Sequence, residues 1–249
     1  MEAAEPLAAW LWLSGSLLLA ILWNNLAWLL RQPRFETANE FIARLTSSRF
    51  APWLFQFLRL LYYVGLPYSA LLWGHDAVIV SLLGLGGRKV EVTPADSWLD
   101  WAYDVGWGAV LGIAAWSLLA LGWWAYRRAL ATADIEGTPA GANVSAWTLL
   151  REAAFHQIHW AFYRNAPIVT LGAYWGTWSG LALAALEAAL NPAWRKSLAD
   201  PQKAPAQLML GALAVVSSLL FWQTENLWLA VLLHWGVSWG LALCARRKT

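Results

Sequence analysis

Residues 7–30 carry no charged side chain. A run of about 20 apolar residues is long enough to cross the hydrocarbon core of a bilayer as one helix. In that solvent every backbone N–H and C=O needs an internal partner, so the chain is limited to helices or a closed barrel. Comparable stretches recur at 52–73, 98–126, 145–164, 168–190, 207–223 and 226–245. The sequence therefore reads as all-α, a polytopic membrane helix bundle of about seven transmembrane helices. Composition agrees: 13% of the residues are charged and 59% are hydrophobic, against about 25% charged in a soluble domain.

Between the spans, residues 38–45 read as a short interfacial helix and 75–85 as a possible extra half-helix. Residues 88–97 form a polar loop able to hold a short hairpin, and 129–143 and 193–206 are further loops. Pro67 is expected to kink the second span. The first span lacks a basic leader, because Glu2 and Glu5 precede it, and reads as a retained helix rather than a cleaved signal. With seven alternating spans, Arg31, Arg34, Arg44, Arg49, Arg127, Arg128, Arg195, Lys196, Lys203, Arg246, Arg247 and Lys248 fall on one side. Arg88, Lys89 and Arg164 fall on the other. That bias orients the N-terminus outside and the C-terminus inside, as expected for a multi-pass protein of a bacterial cytoplasmic membrane with the lipid bilayer as its first partner.

The net charge of +2 and the lack of long basic runs point to no nucleic-acid partner. Cys244, the single cysteine, excludes a disulfide framework and a cysteine-based zinc cluster. Glycines at 172, 176 and 180, at 108 and 112, and at 236 and 240 repeat every four residues, a spacing that lets helices approach closely in lipid.

Ionisable residues inside such spans are costly and mark candidate sites. They gather in the fourth span. At 100° per residue, Ser145, Thr148, Glu152, His156, His159 and Tyr163 fall within about 80° of arc on an otherwise apolar helix. Glu187 in the fifth span and His234 and Ser238 in the seventh lie at depths compatible with the same cytoplasmic-half cavity. Asp100 and Asp104 open the third span from the outer side, where a helix N-terminus favours them.

The segment Arg151-Glu152-Ala153-Ala154-Phe155-His156 resembles the Glu-Glu-x-x-x-Arg motif of the CPBP intramembrane proteases, the family of the CAAX prenyl endopeptidases and the bacteriocin-processing proteins. Leu183-Ala184-Ala185-Leu186-Glu187 stands at the distance of that family's Phe-x-x-x-His. His234-Trp235-Gly236-Val237-Ser238 is similar to its His-x-x-x-Asn. Glu152 and His234 match; Arg151, His156, Glu187 and Ser238 replace Glu, Arg, His and Asn. The resemblance places a CPBP-like core at 145–249, with 1–144 as preceding transmembrane helices and loops. It implies an intramembrane metallo-endopeptidase acting on a membrane-anchored peptide or protein near the cytoplasmic side. A divalent metal, zinc by its usual ligands, would be held by His156, Glu187 and His234, or by a set that includes Glu152 and excludes His156, with His159 as a further ligand or supporting partner. Glu152 would activate the water, and Ser238 would hydrogen-bond the oxyanion. On this reading Glu152, His156, Glu187 and His234 meet in one cavity with His159 at its edge. The alternatives are an inactive family member serving as a membrane scaffold or partner-binding protein, and a transporter or proton relay using Glu152, His156 and His159.

Overall fold

The computed structural model describes residues 4–32, 40, 43, 44, 46–74, 94–132 and 144–246. Among these, all regular structure is helical. The order is α1 (Ala4–Leu30), α2 (Ala51–Leu60), a π-helical turn (Leu61–Gly65), α3 (Leu66–Gly74), α4 (Pro94–Thr132), α5 (Ala146–Leu190), α6 (Pro192–Ala199), α7 (Ala204–Thr224) and α8 (Leu227–Arg246). The expected half-helix at 75–85 and most of the polar loop at 88–97 lie outside the described residues.

Among the described residues, four helices are long and apolar enough to cross a membrane: Leu7–Leu30, Trp98–Thr132, Ala204–Thr224 and Leu227–Cys244. The expected count was seven. The second expected span is helical but interrupted. Pro67 has no N–H to offer the carbonyl of Tyr63, and the helix widens just before it, where the Leu66 N–H bonds to Leu61 O in the i to i−5 pattern. The fourth and fifth expected spans are joined in α5, which carries the polar stripe.

α5 is a hairpin rather than a rod. A straight helix of its 45 residues would measure about 68 Å, yet His159 and Glu187 touch across it. The fold-back centres on Gly172, at φ 77 and ψ 170, a region open essentially to glycine alone. The break expected at Asn165–Pro167 therefore falls later: Pro167 is buried inside the first arm. Gly176 faces Ile168 and Gly180 faces Arg164, pairs that lie symmetrically about Gly172. A Cβ on Gly180 would stand 2.6 Å from Arg164 Cγ, so this glycine sets how closely the arms approach. Of the glycine stripe, then, Gly172 makes the turn, and Gly176 and Gly180 make the packing.

Two apolar cores hold the bundle. Leu13 of α1, Ala70 of α3 and Phe162, Tyr163 and Ala166 of α5 form one. Ala115 of α4, Leu213 and Leu220 of α7, and Leu233, Val237 and Leu241 of α8 form the other. Ala161, Leu227 and Val231 link α5 to α8. Large apolar side chains such as Leu22, Trp53, Ile113 and Leu118 point outward, as helices facing hydrocarbon do.

Three contacts align one end of the bundle. Asn25 Nδ2 donates to Leu190 O at 3.2 Å, the Lys196 ammonium lies 5.5 Å from the Trp28 ring centre, and the Tyr126 hydroxyl donates to Pro201 O. The ends of α1, α4 and α5 thus meet α6 and the start of α7, and Arg31, Arg127, Arg128, Arg195, Lys196 and Lys203 collect there. α4 continues through Arg127 and Arg128 to Thr132, past the end expected at 126.

Candidate functional site

Ser145 caps α5: its side chain accepts from the Thr148 N–H at 3.1 Å, which starts the polar stripe in register. One turn on, the Glu152 carboxylate is held from two sides. Arg59 of α2 donates from Nη1 to Oε1 at 3.1 Å and from Nη2 to Oε2. Arg151 donates from Nη2 to Oε1 at 2.9 Å and from Nε at 3.3 Å. The three side chains are about one-third exposed or less. A two-point guanidinium contact is the strongest form of this pairing. Arg59 also lies 5.5 Å from the Phe155 ring centre, which packs its planar face.

The histidines settle into separate pairs. His156 Nδ1 donates to the Glu152 carbonyl at 2.7 Å, so this nitrogen is spent within its own helix. His159 Nε2 lies 2.9 Å from Glu187 Oε2, joining the two arms of α5. Gln157 Nε2 lies 3.1 Å from His234 Nδ1, joining α5 to α8. The His156 and His234 ring centres are 5.8 Å apart and near-parallel, with Trp160 against both. Around His159 stand Tyr62, Tyr63 and Tyr163, at ring-centre distances of 5.2, 5.1 and 4.3 Å. Tyr62 and Tyr163 hydroxyls are 3.5 Å apart.

The expected convergence is thus partial. His156 and His234 come together, and so do His159 and Glu187, but His159 is a full partner rather than an edge residue. The Glu152 carboxylate points to the arginines. No group of three His, Cys, Asp or Glu that could hold a metal occurs among the described residues. The donor set His156, Glu187, His234 and His159 does not fit a zinc ion as arranged, and no chemical step through a metal is derived. Ser238 is buried but lines a cavity against α4 and α7. Asp100 is exposed and Asp104 half-buried in the early turns of α4.

Several partners were missed in the sequence. Arg59 sits in an otherwise uncharged apolar span and carries the signal of an intramembrane charge in need of a counter-ion. Tyr62 and Tyr63 follow one turn later. Arg164, at the end of the fourth expected span, is 1% exposed. It donates to Ser218 Oγ at 2.8 Å and lies 4.9 Å from the Phe221 ring centre.

No protein-family model, curated protein or solved structure matches the chain. The resemblance to the CPBP proteases therefore rests on the motif residues alone.

Proposed function

We propose that the chain is a multi-pass membrane protein whose buried polar centre clamps its helices together, and that it serves as a membrane scaffold or partner-binding protein rather than a peptidase. The observation that carries this reading is the double guanidinium grip on Glu152. A carboxylate neutralised from two sides is a poor proton acceptor, and activation of water asks for a free one within hydrogen-bond reach. The remaining polar groups also pair across helices: His159 with Glu187, and Gln157 with His234. Four helices of spanning length and the outward-facing apolar side chains support membrane residence. The collection of cations at one end supports an inside C-terminus.

The intramembrane metallo-endopeptidase is the second reading. One observation favours it: the stacked rings of His156 and His234 each bond through Nδ1, so each keeps Nε2 for a metal. That chemistry requires a third donor to join them and Glu152 to leave both arginines.

The test is divalent-metal content of the purified protein beside cleavage of membrane-anchored peptides. The scaffold reading expects far less than one metal per chain and no cleavage. One metal per chain, with cleavage lost on Glu152→Gln and metal retained, overturns it.

A further inference from the structure

A cavity of about 500 Å³ lies between α4, α7 and α8, with Leu149 of α5 also on its wall. That volume is in the range of ligand pockets. Its walls are apolar, from Leu119 and Trp123 of α4, Leu208 and Met209 of α7 and Leu241 of α8. Ser238, also on the wall, is buried and has no hydrogen-bond partner among the described residues.

The end of the cavity differs in character. Tyr126 and the segment Ala204, Pro205 and Ala206 line it there. Arg127 and Arg128 follow Tyr126 directly, and Lys203 precedes Ala204. Arg127 stands one turn on from Trp123 and is paired with no carboxylate among the described residues, whereas the exposed Arg128 turns its guanidinium to Trp124, 5.6 Å from the ring centre and off the cavity wall. Lys203 is paired with Asp200 at 3.1 Å. Ala204, Pro205 and Ala206 form the first turn of α7, whose N-cap makes no side-chain bond, so its positive dipole end faces the same mouth.

We infer that this cavity holds one acyl chain of an anionic membrane phospholipid, with the phosphate at the mouth beside Arg127 and the first turn of α7. Apolar walls suit the chain, and the Arg127 guanidinium together with the α7 N-terminus suits the phosphate. A zwitterionic lipid gains nothing from them in net charge. The site does not depend on the chemistry assigned to Glu152.

The test is reconstitution in phosphatidylcholine vesicles doped with spin-labelled phosphatidylglycerol or, separately, spin-labelled phosphatidylcholine, with the immobilised fraction read by spin resonance. Wild-type protein should immobilise the phosphatidylglycerol label in preference to the other. Gly122→Leu should remove that component, because a Cβ at this cavity residue meets nothing within 4 Å and the new side chain fills space without a clash. Arg127→Gln should weaken phosphatidylglycerol retention by about five-fold, the worth of one interfacial cation, and Arg128→Gln should leave it unchanged. Equal immobilisation of both labels by the wild type overturns the proposal, as does unchanged retention in Gly122→Leu or in Arg127→Gln.

Discussion

Arg59 and Glu152 stand 93 positions apart in the chain and meet through two parallel guanidinium–carboxylate contacts. The pair ties α2, from the N-terminal part of the molecule, to the polar stripe of α5. Glu152 is therefore part of what assembles the helices, and on the same stripe His159 reaches Glu187 across the hairpin and Tyr163 approaches Tyr62, while His156 bonds within its own helix.

The His159–Glu187 contact closes the α5 hairpin in a buried setting. Glu187→Gln should lower stability by about 1.5–3 kcal/mol, the usual worth of a hydrogen bond to a charged group. Thermal unfolding in detergent reads the change. Unaltered unfolding would show that the arms are held by packing alone.

Gly172→Ala should cost about 1–3 kcal/mol, because alanine is forced into a backbone region that L-residues avoid. Gly180→Val should be worse. Its side chain collides with the Arg164 backbone, 2.7 Å from the Cα, and the arms must separate. Loss of the His159–Glu187 contact, followed by a crosslink between cysteines placed at 159 and 187, reports the separation. Efficient crosslinking in Gly180→Val would contradict the packing described.

The helices were legible in the sequence because uncharged stretches of spanning length leave the backbone little choice. The stripe was legible too, since 100° per residue aligns Glu152, His156, His159 and Tyr163 wherever the helix packs. Where the chain turns was not legible. Pro167 carries a conventional break signal, whereas Gly172 looks identical to the packing glycines at 176 and 180 until the backbone angles are known. Nor were the partners. Arg59 announces that it needs a carboxylate, but Glu152, Glu187 and both aspartates of α4 were open to it. Only the packing of α2 on α5 selects Glu152. The motif resemblance implies the histidines as a metal set, yet spacing along the chain says nothing of which ring nitrogens are already spent on Gln157 or on the Glu152 carbonyl.

Topology is checked by labelling. With Cys244 replaced by alanine, single cysteines at Thr132 and Ser197 should react with an impermeant reagent from the same side, and Glu225, in the turn between α7 and α8, from the other. Labelling of Glu225 from the side of Ser197 would break the alternation.

The central claim is that Glu152 is a structural anion rather than a base, and a double-mutant cycle with Arg59 tests it most directly. Arg59→Met and Glu152→Gln should each lower stability in detergent by about 1–3 kcal/mol, between the values for exposed and buried pairs. The double variant should be destabilised by less than the sum of the two. Additive losses near zero, with Glu152→Gln abolishing a peptide cleavage that the wild type performs, would contradict the account.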